Sequence, residues 1–403
     1  MRRDDLVARD AADPILRRDR FTLADDLIYL DGNSLGPPVR GAVRRVADTM
    51  QTWGRDLVSA WNSAGWVELV EDVSGRLAPL VGADPQQVTI TDSTSVNLFQ
   101  ALVVACRLRP DRPTILLEEG GFPTDRYVAR GVADLLGRTV RAVPRQQLVS
   151  AVTGDVAVVT AAHVDYRTGH RLDAQTIGAT AHDVGALVVW DLAHTTGALH
   201  VDLPAWEADL AVGCAYKFLN GGPGAPGYLW VAEELEVPAT IRGWWGHAEP
   251  FAFADAWEPA SGASRFRNGS PAILGLQPLD EALRVFEGIR GEDLNARAEE
   301  LTSLFIDLID EHLADAVEVV SPRAPEQRGA QVSLRHPAAY PVMQALVEHG
   351  VVGDHRPDDL LRFGFAPLHT RWTDVWDAVA TLQDLLTSDL WKDPKYAAPN
   401  KVP

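Results

Sequence analysis

The sequence predicts an α/β protein: a large domain built on a mostly parallel sheet flanked by helices, followed by a smaller α+β domain at the C-terminal end. Three observations predict it. Between about residues 85 and 232, short apolar runs alternate with amphipathic stretches of helical period. After residue 290 the pattern changes to one long amphipathic stretch followed by several short alternating runs. The length of 403 residues is also more than one small core organises. The expected division is an arm and helix over 1–45, the large domain over 46–290 and the small domain over 291–403.

Taken in order, residues 1–28 read as an arm with a helix or two. Leu27-Ile-Tyr-Leu30 then leads into Asp31-Gly-Asn-Ser-Leu-Gly-Pro-Pro38, a turn followed by a helix start with proline in its first turn. Expected strands of the large domain cover 88–91, 114–118, 155–160, 186–190, 209–214 and 228–231. In the small domain a helix over 294–313 precedes strands at 317–321, 330–334, 351–354 and 360–365, with helices over 340–349 and 373–386. The tail from 392 to 403 reads as frayed.

Hydrophobic content of 46% and charged content of 23% are those of an ordinary globular chain. A formal charge of −19 argues against nucleic acid or an anionic membrane as partner, because their phosphates would be repelled. No apolar run reaches the ~18 residues of a membrane span, and the N-terminus has no apolar segment after its arginines, so a cytoplasmic location is expected. The two cysteines, Cys106 and Cys214, both lie in apolar stretches and read as buried reduced thiols.

The chemistry starts at Lys217. The run from Ala208 to Cys214 is small and apolar, as a buried strand would be, so the lysine falls where that strand should end. A buried ammonium is costly unless its amine is used. The preceding strand delivers Asp191-Leu-Ala-His194 at its own end. A lysine and an acid on neighbouring strand ends suit pyridoxal phosphate: the lysine makes the Schiff base and the carboxylate keeps the pyridine nitrogen protonated. Thr91-Asp-Ser-Thr-Ser-Val-Asn97 follows another strand and opens an apolar helix. Alone it is ordinary capping; in a sheet that also carries Asp191 and Lys217 it becomes a phosphate seat. Glu118-Glu-Gly-Gly-Phe-Pro-Thr-Asp125 is either a helix start or a loop that stacks Phe122 on a flat ring.

Other patterns lead elsewhere. His163, His194 and His247 lack metal-ligand spacing, so no metal site is expected. Gly221-Gly-Pro-Gly224 lacks the frame of a phosphate loop and reads as a turn after the lysine. Gly32-Asn-Ser-Leu-Gly36 matches the nucleophile elbow of serine hydrolases, but too little sheet precedes it, and a turn whose Ser34 faces a pocket is the simpler reading. Arg362 sits on an alternating apolar strand, either as a solvated edge residue or as a two-pronged grip for an amino-acid carboxylate.

Together these residues resemble the kynureninase family of fold-type-I pyridoxal-phosphate enzymes. The resemblance rests on Tyr29-Leu-Asp-Gly-Asn-Ser-Leu-Gly36, Trp61-Asn-Ser-Ala-Gly-Trp66, Phe122-Pro-Thr-Asp125, Trp190-Asp-Leu-Ala-His194, Tyr216-Lys-Phe-Leu-Asn-Gly-Gly-Pro-Gly224, Gly243-Trp-Trp-Gly-His247 and Leu361-Arg-Phe-Gly-Phe-Ala-Pro-Leu368. It implies a hydrolase that cleaves L-kynurenine to anthranilate and L-alanine. It also implies roles: Lys217 as Schiff-base lysine, Asp191 on the pyridine nitrogen, and Phe122 stacked with Asp125 nearby. Thr94, Ser95, Tyr216 and Trp244 would seat the phosphate with Ser270 close by, His194 would lie beside the cofactor, and Arg362 would take the substrate carboxylate. A homodimer is implied, with Trp66 and Ser270 serving the neighbouring subunit's site. Enzymes of the family that prefer 3-hydroxykynurenine tend to carry histidine and asparagine where this chain has Trp66 and Ser270, which implies a preference here for the unsubstituted ring. Ala162 departs from the family's usual hydroxyl residue and removes one hydrogen bond to the cofactor, and Thr195-Thr196 reads as neutral. A cysteine desulfurase or related transaminase would share Lys217, Asp191 and His194, but a desulfurase needs a mobile cysteine.

Overall fold

The computed structural model describes residues 2–235 and 239–398. Its main sheet has seven strands: β1 (Val88–Ile90), β2 (Thr114–Glu119), β3 (Thr139–Pro144), β4 (Val156–Ala162), β5 (Leu187–Asp191), β6 (Leu210–Cys214) and β7 (Gly227–Val231), in the spatial order β1-β7-β6-β5-β4-β2-β3. β7 runs antiparallel to both its neighbours, and the other pairs are parallel. The central strands are buried along their whole length, as a sheet covered on both faces requires. Alternate residues feed two cores: Val188 and Trp190 join one, Leu187 and Val189 the other. The helices Thr94–Leu108 and Pro123–Leu136 each follow directly on a strand, so their first turns sit at the strands' C-terminal ends.

The sheet holds one strand more than the sequence predicts. β3 is an edge strand of half-exposed residues, and its Arg141 and terminal Pro144 hide the apolar signal that a central strand gives. The helix after Asp31 also differs: it spans Arg40–Asp56, so Pro37 and Pro38 belong to the extended approach.

In the C-terminal part, Gln331–Arg335 and Leu360–Gly364 form the centre of a four-stranded antiparallel sheet, with Glu318–Val319 and Asp354–Arg356 at its edges. Val351–Val352 lies outside this sheet; it pairs in parallel with Ile28–Tyr29. The hairpin between the last two strands turns at Asp358 and Asp359, both at positive φ, and sets Asp354 opposite Arg362. Helices Gly291–His312, Ala339–Glu348 and Trp372–Ser388 cover it. The N-terminal helix Arg3–Ala12 packs here too: Leu6 shares a core with Leu301 and Phe305, and Asp10 caps the last long helix by accepting from Trp372 N–H at 2.6 Å.

Candidate active site

Register alone brings the key groups together. Asp191 ends β5 opposite Ala162 of β4 and Val212 of β6. Lys217 follows three residues after β6 ends, in a turn where Asn220 N–H returns to the Lys217 carbonyl at 2.8 Å. The lysine is half-buried, not fully enclosed as a strand-end reading suggests. Gly36 makes this turn possible, because a Cβ there would lie 2.3 Å from the Lys217 carbonyl oxygen. The Gly32–Gly36 motif is therefore a backbone contact with the lysine turn, and Ser34 Oγ hydrogen-bonds Asp354 (2.7 Å) and Arg362 (2.6 Å).

Thr94, Ser95, Phe122, Asp125, Asp191, His194, Tyr216 and Lys217 line one cavity at the C-terminal edge of the sheet. Ser93 caps the helix above it, its Oγ accepting from Val96 N–H at 3.4 Å, and helix geometry leaves the first-turn N–H groups without intrahelical acceptors. β7 approaches this helix end so closely that a Cβ at Gly227 would fall 2.9 Å from the Thr94 nitrogen. Phe122, 43% exposed, meets Tyr166 edge-on at 5.3 Å, and Lys217 Nζ lies 5.9 Å from its ring centre.

The electrostatics are set by burial. Asp125 is held well above the usual carboxylate range by burial and by the charge of Asp191 facing it. Burial also raises Asp191, while Ala193 N–H (2.8 Å) and Lys217 pull it back. His194 is driven well below its ordinary value by burial, then by Lys217 and Arg362, so its ring is neutral. Its Nε2 lies 2.9 Å from Lys217 Nζ and its Nδ1 lies 3.1 Å from Gln331 Oε1. Burial raises the Tyr216 phenol, which stays protonated across the neutral range.

Five of the residues predicted from sequence do not line this cavity. Trp66 is buried edge-on against Trp61 at 5.9 Å. Trp244 is 39% exposed and stacks on Phe253. Ser270 is exposed and lines a neighbouring cavity that shares Ser93 with the first. Ser34 and Arg362 form a separate cluster with Asp354. There Arg362, 1% exposed, donates through Nε to Asp354 Oδ1 (2.8 Å), through Nη2 to the same carboxylate and to Ser34, and through Nη1 to the Tyr166 carbonyl (2.5 Å). Asp354, Gln331 and Tyr166 escape the sequence reading. Only Asp354 had a signal, since it and Arg362 stand equally far from the Asp358 turn.

The donor set fits pyridoxal phosphate. Asp125 and Asp191 face each other, and among the described residues Lys217 is the one cationic side chain lining the cavity, so the acids suit a protonated ring nitrogen. The helix end with Thr94 and Ser95 suits a phosphate, and Lys217 an aldehyde. Ala162, which lines the cavity, has no side-chain donor to offer, and its N–H donates to Glu118 Oε1 at 3.0 Å.

The sheet order, its one antiparallel strand and the lysine–acid pair at the strand ends place the chain in the fold class of type-I pyridoxal-phosphate enzymes. Solved structures share that fold: a cysteine desulfurase from Thermococcus onnurineus NA1 at TM-score 0.77 and 19% identity, covering 92% of this chain and 97% of that one. A C-DES variant with glycine covalently linked to its PLP cofactor matches at TM-score 0.79 and 19% identity, covering 91% of this chain and 99% of that one. Sequence gives the particular branch. Residues 294–382 match the kynureninase C-terminal domain, and the kynureninase of Pseudomonas fluorescens is 42% identical over 99% of both chains. The chain belongs to the kynureninase family.

Proposed function

We propose that this protein is a pyridoxal-phosphate-dependent hydrolase that cleaves L-kynurenine between Cβ and Cγ, releasing anthranilate and L-alanine. The observation that carries the reading is the convergence of Lys217, the acids Asp125 and Asp191, and the helix end at Thr94 on one cavity, in a chain so similar to a kynureninase over its whole length. Pyridoxal phosphate, when bound, supplies an electron sink for charge developing at the substrate Cα. Thr94 and Ser95 would hold its phosphate, Phe122 would flank its ring, and Asp191 would hold the proton on its nitrogen.

The chain's own residues do the rest. Lys217, released once the substrate amine is bound, takes the Cα proton. Water adds across the γ-carbonyl, the Cβ–Cγ bond breaks, Cγ leaves as the carboxylate carbon of anthranilate still attached to its ring, and Cβ, keeping the bond's electron pair, takes a proton. Tyr216, kept protonated by burial, is the candidate donor. Arg362 would grip the α-carboxylate: Asp354, Ser34 and the Tyr166 carbonyl fix its plane and leave one Nη1–H without an acceptor among the described residues.

Trp244 and Ser270 fit this scheme as groups offered to a second copy. Apolar side chains exposed beside Trp244 (Phe251, Phe253) and on the helix Arg40–Asp56 (Val43, Met50, Trp53) give a homodimer a surface to bury. Trp66 and Ser270, an indole and a small hydroxyl, would then wall the aryl pocket. The test is direct. Purified protein supplied with pyridoxal phosphate and L-kynurenine should form anthranilate and alanine in equal amounts; turnover of kynurenine without alanine would overturn the assignment.

A further inference from the structure

Gln331 comes from the other sheet to contact His194, which lines the cavity, and no part of the reaction above uses it. It opens the strand Gln331–Arg335, is 1% exposed, and its side chain crosses into the large domain. There its Nε2 donates to two backbone carbonyls, those of Asp165 (3.2 Å) and Tyr166 (3.0 Å). A carbonyl oxygen can only accept, so these two bonds decide which way the amide points. The NH₂ must face Asp165 and Tyr166, and Oε1 must face His194 Nδ1, 3.1 Å away.

That orientation dictates the histidine's proton. Oε1 has no hydrogen to give, so Nδ1 carries the N–H and donates it. The charged groups acting on the ring are Lys217 on the lysine turn and Arg362 and Arg356 on the small-domain hairpin; all are positive, and together with burial they oppose a second proton. Nε2 is therefore a lone-pair acceptor, and the group 2.9 Å from it is Lys217 Nζ.

We infer that Gln331 is a positioning residue: it fixes His194 as the Nδ1–H tautomer and so gives the Lys217 amine an acceptor that holds it in place. The inference rests on the reading of Lys217 as the reactive amine. The chain of contacts spans both sheets, so the seating of the small domain is transmitted to the amine. In the opposite tautomer Nε2–H would confront Lys217 whenever that amine carries the proton it has taken, and the contact would turn repulsive. Removal of Gln331 should then be felt in turnover and not in substrate affinity, because nothing places Gln331 against substrate.

The experiment uses the full-length protein labelled with ¹⁵N-histidine, with the His194 signals identified by their absence from a His194→Gln sample. Long-range ¹⁵N–¹H correlation of the cofactor-free native protein should show Nδ1 protonated and Nε2 bare across the neutral range. In Gln331→Leu the Nε2–H tautomer should become populated, and kcat of the reconstituted enzyme should fall on the order of tenfold, part of what a well-placed general base contributes, with KM little changed. Gln331→Glu keeps an acceptor but adds a negative charge, so His194 should stay Nδ1-protonated and gain its second proton at higher pH, and the acid limb of kcat should move upward. A fold-preserving role alone would not move that limb. A bare Nδ1 in the native protein, or a Gln331→Leu spectrum identical to it, overturns the inference even if kynurenine is cleaved. A protein inactive on kynurenine with the expected tautomers overturns the proposed reaction and leaves this inference standing.

Discussion

Replacing Asp354 by alanine should reveal how much of the substrate grip is built in advance. The carboxylate takes two donors from Arg362, and the side chains are 5% and 1% exposed. Its loss leaves a buried guanidinium with Ser34 and the Tyr166 carbonyl as its partners among the described residues, and breaking a buried pair from one side costs about 3–5 kcal/mol. Arg356 loses the same partner, but at 25% exposure water replaces much of it. Asp31 works the other way. It is raised to about 7 by burial and then by Asp354, so without that neighbour it ionises more readily and offsets part of the loss. The net expectation is the lower end, about 3 kcal/mol, read as a lowered urea midpoint by tryptophan fluorescence. The pH dependence has a definite sign. Burial alone would raise Asp354, but Arg362 and Arg356 outweigh it and hold the carboxyl below its ordinary value. Its stabilisation is thus complete above about pH 4 and is lost as pH falls through the lowered native value, so native and variant curves should converge in acid. KM for kynurenine should rise strongly while inhibition by anthranilate, which lacks the α-carboxylate, changes little. A loss under about 1 kcal/mol with KM unchanged would refute both the buried pair and the grip.

Asp191→Asn should keep the fold and lose most of kcat, since an amide cannot hold a proton on the ring nitrogen; near-normal kcat would move that role to Asp125. L-Kynurenine should be preferred over 3-hydroxykynurenine in kcat/KM, by no more than about 10²-fold because an apolar wall rejects an added hydroxyl weakly. Trp66→His with Ser270→Asn should shift the ratio toward the hydroxylated substrate, and a native preference for 3-hydroxykynurenine would remove both residues from the pocket. Gly227→Ala should weaken cofactor binding and lower stability by about 1–3 kcal/mol, because its Cβ would fall on the Thr94 nitrogen; an unperturbed variant would mean the helix end can retreat.

Much of this was legible before any coordinates. The parallel strands announce themselves because burial on both faces makes them short apolar runs, and their C-terminal ends carry Asp191 and the turn to Lys217. β3 was silent because an edge strand keeps charge and proline. The pairing of Val351–Val352 with Ile28–Tyr29 joins segments too distant in sequence for any local pattern to show. The cavity residues on strand ends and helix starts were readable one motif at a time. Gln331 was not, since an amide at the head of an apolar strand carries no signal until the other sheet supplies its partners.

The account depends most on Lys217 as the residue that holds the cofactor. Pyridoxal phosphate bound to the purified protein should give a yellow solution that bleaches on borohydride reduction, and peptide mapping should then find the pyridoxyl mass on the peptide containing Lys217. Lys217→Ala should still bind the cofactor through the Thr94–Ser95 helix end, but reduction should leave it unlabelled. A pyridoxyl group mapped to another lysine, or retained in Lys217→Ala, would contradict the site described here.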